Sequence, residues 1–370
     1  MKPKHGLVLG KFYPPHAGHQ LLIRTAAQAC ERVSVLALAA SRESLPLELR
    51  VAWLREVHEP DRNVAVIGGT DDVPVDYADP AIWDRHMAVF ESLLAAAGAP
   101  LVDAVFTSES YGDELARRFG ARHCCVDRER ALAPVSGTAV RADPLTHWGE
   151  LCAPARAYLA RRVVIVGAES TGKTTLARAL RDALAARGGA FAETRWVPEH
   201  GRDYTLEKLA LARAHAAWRR APAPGMDDLD WPTSDFVAIA RRQNELEARE
   251  ARVGGPVLVC DTDAFATGIW HERYRSARAP EVEALAEPRP RLYLLTHHDD
   301  VPFQQDGIRD GEHLRAWMTD CFAERLRGGP HRLEFLRGSR SARLVQALGR
   351  IDDWLRAPFE DFVDRELRAG

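Results

Sequence analysis

The chain has 370 residues, enough for two domains that each bury a core. Apolar residues make up 46% and charged residues 28%, ordinary for a globular protein, and the mixed charges sum to only −3, which argues against nucleic acid as the main partner. No apolar run approaches the ~18 residues of a membrane helix, Met1–Gly6 has no signal-peptide core, and six scattered cysteines without a Cys-x-x-Cys pair suit reduced thiols, so a cytoplasmic protein with no membrane partner is expected.

In chain order, a short apolar strand at Gly6–Gly10 leads into Gly10-Lys11-Phe12-Tyr13-Pro14-Pro15-His16-Ala17-Gly18-His19 and then a helical pattern in Leu21, Leu22 and Ala26. Further strands are expected at Val33–Leu38, Val64–Ile67 and Ala104–Ser108, with helices around Leu47–Val57, Ile82–Ala97 and Asp113–Phe119. This alternation predicts an α/β fold with a parallel sheet covered on both faces, and ligands at the strands' carboxyl ends where strand order reverses. The loop carrying His16 and His19 leaves such a strand end. Two imidazoles at a helix start can each donate to oxygens that gain charge during phosphoryl or nucleotidyl transfer, and Gly18 removes bulk beside a phosphate. A zinc pair is less attractive, because no third ligand stands at metal spacing.

Asp72–Trp83 reads as a loop whose Trp83 either stacks on a flat cationic ring or packs in the core. Thr107–Gly112, with Tyr111, follows a strand and so faces the same crevice, while Asp127 and Arg130 have no assigned role. Val135–Arg141 is a polar turn opening a helix. Ser136, Gly137 and Thr138 suit a phosphate there, or a simple cap, and Arg141 adds a positive fork.

His147–Arg162 reads as a helical linker, with the domain boundary near Pro154. The β-branched run Val163–Val166 then enters Gly167-Ala168-Glu169-Ser170-Thr171-Gly172-Lys173-Thr174-Thr175, followed by a helix with Leu176, Ala177, Leu180 and Leu184. This is the phosphate-binding loop in its strand–loop–helix setting. Lys173 reaches the β- and γ-phosphates, and the Thr174 hydroxyl can hold Mg²⁺. A strand ending near Val197 brings Glu199-x-x-Arg202, with Glu199 placed to orient and deprotonate a substrate hydroxyl. A long helical region follows, interrupted at Pro222–Gly225. The strand Val257–Asp261 ends in an acid suited to Mg²⁺ or its water, with Asp263 two residues on. After the strand Arg291–Leu295, the polar segment Asp300–Gly311 carries Arg309 and reads as a lid.

The Gly-x-Phe-x-Pro-x-His-x-Gly-His and Ser-x-Thr-x-x-Arg motifs together resemble the adenylyltransferases of the nucleotidyltransferase superfamily. The resemblance implies that His16 and His19 contact the ATP phosphates within the Gly10–Gly18 loop, and that Arg141 and the Ser136–Thr138 turn grip the β- and γ-phosphates. A substrate phosphate would attack the α-phosphorus directly. With the second half added, the chain resembles the NadR family, which pairs nicotinamide-mononucleotide adenylyltransferase with ribosylnicotinamide kinase. Two doubly wound domains are thus implied, a Rossmann-like nucleotidyltransferase at 1–155 and a P-loop kinase at 156–370, using ATP with Mg²⁺ on nicotinamide riboside and the mononucleotide to give NAD. By the same resemblance Lys173 and Thr174 bind ATP and Mg²⁺, Glu199 is the base and Arg309 a lid arginine, while of Asp261 and Asp263 one is a metal-shell acid and the other a ribose ligand, in either assignment. Trp83, Tyr111 and Arg202 are candidate substrate contacts by their places in the chain. Met1 lies just before the first strand, so the helix-turn-helix of the longest family members, and DNA binding with it, is not expected. Two alternatives stay open, an adenylyltransferase for another metabolite fused to a different nucleoside kinase, and a nucleotide sensor. So does a homo-oligomer.

Overall fold

The computed structural model describes residues 2–304 and 311–364. They form two compact units, one comprising Met1–Arg156 with the segment from Pro358 onward, the other Ala157–Ala357.

The first unit is built on five parallel strands, β1 (His5–Gly10), β2 (Arg32–Ala39), β3 (Val64–Thr70), β4 (Ala104–Thr107) and β5 (Arg122–Cys125), in the order β3-β2-β1-β4-β5. Strand β2 is buried from Val33 to Ala39, which explains its apolar run, interrupted only by Ser34, in a sheet covered on both sides. On one face, the helices Ala17–Ala29 and Leu47–Val57 pack Leu22, Ile23, Ala26, Val51 and Leu54 against Val8, Val33, Val35 and Phe106. On the other, the helix Pro80–Ala96 packs Trp83, Met87, Phe90 and Leu94 against Leu7, Leu36 and Val105. Each such aliphatic side chain contributes about 1.5–3 kcal/mol. Strand order reverses at β1, which has β2 on one side and β4 on the other.

In the second unit β6 (Arg161–Val166), β7 (Arg195–Val197), β8 (Val257–Asp261), β9 (Leu292–Thr296) and β10 (Arg332–Leu336) are again all parallel, ordered β10-β9-β6-β8-β7. The helices Lys173–Ala185 and Arg340–Arg356 cover one face through Leu176, Leu180, Leu184, Ile351 and Trp354. A separate aromatic core joins Trp231 to Phe236 and Ile239 of the helix Thr233–Val253. Strand order here reverses at β6, directly ahead of the phosphate-binding loop.

Several expectations need correction. His147–Arg162 is not one helix: it is a short turn at Trp148–Glu150, an extended Leu151 bridged to His16, a helix at Ala153–Leu159 and the start of β6. Pro154 falls in the first turn of that helix, where a proline is tolerated. The break in the long helical region spans 219–232, between the helices His200–Trp218 and Thr233–Val253. Residues 358–364, expected in the second domain, belong with the first unit, where the Tyr13 hydroxyl donates to Asp361 O (3.0 Å) and Tyr13 meets Phe362 edge-on.

Candidate active sites

In the first unit a cavity of about 550 Å³, a size suited to a nucleotide, opens at the carboxyl ends of β1, β2 and β4. Gly10, Lys11, His16, Gly18, His19, Trp83, Tyr111, Ser136, Gly137, Thr138 and Arg141 all line it, although 131 residues of sequence separate Gly10 from Arg141. His16 caps the helix Ala17–Ala29, and its ring stacks on His19 with centroids 3.7 Å apart. Neither ring nitrogen of His16 has a partner, though the residue is only 4% exposed. Burial, then the charges of Arg130, Arg141 and His147, push its imidazole down to about 4. Burial, reinforced by His16, Arg130 and Arg141, lowers His19 as well. The His16 amide donates to His19 Nδ1 (3.3 Å), so a neutral His19 carries its proton on Nε2 as a donor. A Cβ on Gly18 would sit 3.2 Å from the His16 ring, which is why the spacer is glycine. Two neutral imidazole donors beside fixed cations suit an oxyanion.

Arg141 is aimed by its surroundings, since it donates to Tyr13 O (2.7 Å) and Thr138 Oγ1 (3.2 Å). Ser136 turns out to cap the helix Gly137–Ala142, accepting from Ala139 N. Phe12 and Tyr13, expected to touch ATP, do not line the cavity. Phe12 is buried against His19, and the guanidiniums of Arg50 (4.3 Å) and Arg141 (5.0 Å) both lie over the Tyr13 ring, so both residues pack in the protein beside the loop. Trp83 is buried in the core, with Nε1 donating to Tyr77 O, and part of it also lines the cavity. The exposed Tyr77, stacked on Tyr111 at 5.4 Å, forms the rim, and it was passed over because a lone loop tyrosine carries no pattern. Arg130 also lines the cavity, held by Val135 O and Glu109.

The second unit carries a cavity of about 440 Å³. Glu169, Ser170, Thr171, Gly172, Lys173, Thr174, Thr175, Glu199 and Arg202 line it. Gly167 lies behind: its φ is +146°, and a Cβ there would fall 2.5 Å from Thr296 Oγ1. Lys173 Nζ donates to Ala168 O (2.9 Å), and the Thr171 hydroxyl bonds both Ala168 O and Thr296. Glu169 uses its carboxylate to bind Gly311 N (3.0 Å) and Arg273 (3.2 Å). Burial pushes the Glu199 carboxyl up, Lys173 opposes this, Asp261 adds to it and Arg202 opposes it.

At the end of β8, Asp261 is 1% exposed and hydrogen-bonded to the Thr174 hydroxyl, while its Oδ1 has no partner. A buried carboxylate oxygen without a donor, beside a hydroxyl, is a ligand set for a hard divalent cation, so these residues fit Mg²⁺. Asp263, expected as a metal-shell or ribose ligand, is not among the lining residues: it caps the helix Ala264–Arg275 and bonds Tyr293 Oη (2.6 Å) and Arg291 (3.1 Å), itself paired with Glu247, so both its carboxylate oxygens are engaged within the protein. Arg309 lies outside the described residues. The opposite wall is apolar, made by Met226, Trp231, Phe236, Ile239, Trp270 and Tyr274. The sequence reading also missed Arg343, buried in the wall, which donates to Thr171 O (2.7 Å) and His297 O and pairs with Asp300.

Residues 162–343 match the family described as "AAA domain". The "Trifunctional NAD biosynthesis/regulator protein NadR" of Escherichia coli (strain K12) is 24% identical over 319 residues, covering 82% of this chain and 71% of that protein. Its Salmonella typhimurium (strain LT2) counterpart matches to the same extent. Two crystal structures share the fold across both units: a NadR protein in complex with NR (TM-score 0.65, 21% identity, 95% of this chain and 96% of the other) and a NadR protein in complex with NAD and AMP-PNP (TM-score 0.67, 21% identity, 94% and 96%). None of the described helices is long and apolar enough to cross a membrane. Matching them over 82% of its length, the protein is a homologue of the NadR proteins.

Proposed function

We propose that the chain is a bifunctional enzyme of pyridine-nucleotide salvage. The second unit phosphorylates nicotinamide riboside with ATP, and the first condenses the resulting mononucleotide with ATP to give NAD and pyrophosphate. The observation that carries this reading is the presence of two separate nucleotide-sized cavities, each pairing a phosphate-binding loop with an aromatic wall.

In the second unit the riboside's ring lies among Trp231, Trp270 and Tyr274, where a cationic ring gains cation–π stabilisation. Its 5′-hydroxyl faces Glu199, which orients it and accepts its proton as the oxygen attacks the γ-phosphorus. Lys173 and the amides of Gly172–Thr174 hold the transferring phosphates. Thr174 and Asp261 would hold Mg²⁺, which neutralises charge on the phosphate oxygens when bound.

In the first unit the mononucleotide phosphate attacks the α-phosphorus of ATP and pyrophosphate departs. No covalent enzyme intermediate is involved. His19 Nε2–H and His16 donate to the oxygens gaining charge, and Arg141 with Thr138 grips the leaving pyrophosphate. Trp83, Tyr77 and Tyr111 receive the pyridine ring.

Supplying the two substrates separately tests the assignment. A Lys173→Ala variant is expected to make NAD from the mononucleotide and nothing from the riboside. Loss of both reactions in this variant would refute independent sites.

A further inference from the structure

We infer that the segment Phe359–Asp364 is a positioning element of the adenylyl-transfer site and acts through Tyr13 on Arg141; this rests on the function proposed for the first unit. The segment follows the second unit in the chain, yet its contacts are with the motif loop of the first. The Tyr13 hydroxyl donates to Asp361 O (3.0 Å), and the Tyr13 ring meets Phe362 edge-on at 5.9 Å and 76°. Phe362 in turn lies against Phe359, with centroids 6.1 Å apart. Ser44 Oγ donates to Val363 O, and Arg42 pairs with Asp364 at 3.9 Å.

The contacts of Asp361 and Phe362 meet on Tyr13. The guanidiniums of Arg50 and Arg141 both lie over the Tyr13 ring, at 4.3 Å and 5.0 Å, and the Tyr13 carbonyl is the 2.7 Å acceptor that fixes the Arg141 fork. Arg50 cannot yield, since it is fully buried and bonds Lys11 O, Leu45 O and Glu43. Any displacement of the Tyr13 ring or backbone is therefore passed to Arg141, the one of the two guanidiniums that lines the cavity. The segment sets where the phosphate-gripping fork stands without itself lining the cavity, so it positions and does not catalyse.

The test uses the full chain and measures both reactions on each preparation. Phe362→Ala should raise the ATP KM of adenylyl transfer about tenfold, change kcat less, and leave riboside phosphorylation within about twofold of the parent. Phe362→Leu should restore most of the loss, and Tyr13→Phe, which removes only the hydroxyl bonded to Asp361 O, should raise the same KM about threefold. Unchanged ATP KM in Phe362→Ala and Tyr13→Phe would overturn the inference. So would equal losses of both reactions with a lowered unfolding midpoint, which mark mere packing. A parent chain that makes no NAD from the mononucleotide would instead overturn the reading on which the inference rests, and the inference with it.

Discussion

Lowering the pH from 7.5 to 5 protonates His16 in the unfolded chain but not in the fold. Its imidazole titrates at about 4 in the first cavity, against an ordinary 6.5, because burial and the neighbouring guanidiniums penalise a charged ring. The sign follows from proton binding. Between those two values the unfolded chain holds the extra proton, so stability falls as pH drops through 6.5, and the loss is complete below about 4. For these two pKa values the share belonging to His16 is about 2 kcal/mol between pH 7.5 and 5. His19 adds a loss of the same sign.

Histidine ring NMR reads this directly, with the His16 signal identified by its disappearance in His16→Gln. In the ligand-free protein that signal should stay at its neutral position from pH 8 to 5.5 and move near 4. Urea unfolding of the first unit, followed through its own amide signals, should lose about 2 kcal/mol more on acidification in the parent than in the variant. A midpoint between 6 and 7 for His16, or equal acid sensitivity in both proteins, would refute the claim that the site holds this imidazole neutral.

Glu199→Gln keeps the shape of the second cavity but removes the proton acceptor, so riboside phosphorylation should fall about 10²–10⁴-fold in kcat while ATP affinity, read by calorimetry, stays near the parent's. Gly167→Ala forces a Cβ to 2.5 Å from Thr296 Oγ1 and 2.7 Å from its carbonyl; nucleotide binding by the second unit should be lost, with a destabilisation of about 1–3 kcal/mol by thermal unfolding. Asp263→Ala strands buried Arg291 with Glu247 alone, which should cost the second unit about 3–5 kcal/mol while adenylyl transfer persists. Chelating divalent cations should stop phosphorylation, and Asp261→Asn should demand more Mg²⁺ to restore it, as a titration of rate against Mg²⁺ would show.

The two phosphate-gripping loops were legible because each is a local pattern. Gly167–Thr175 and Gly10–His19 encode their geometry within about ten residues, and the alternation around them fixed two parallel sheets. What escaped depends on contacts distant in sequence. Arg343 reaches the phosphate-binding loop across 172 residues, and Asp361 reaches Tyr13 across 348. Strand β5 (Arg-His-Cys-Cys) is a short edge strand that buries too little to need an apolar run. Asp263 was ambiguous for a different reason: an acid just after an apolar strand serves a substrate contact and a helix cap equally well, and only the surrounding fold shows its bonds to the buried Arg291 and Tyr293.

The most direct test of the two-step chemistry follows phosphorus. The intact chain is incubated with nicotinamide riboside, Mg²⁺ and ATP labelled with ³²P at either the α or the γ position, and the NAD is isolated. Both labels should appear in it, γ through the kinase step and α through adenylyl transfer. NAD carrying the α label without the γ label would contradict phosphorylation by the second unit, and γ-labelled mononucleotide with no NAD would contradict adenylyl transfer by the first.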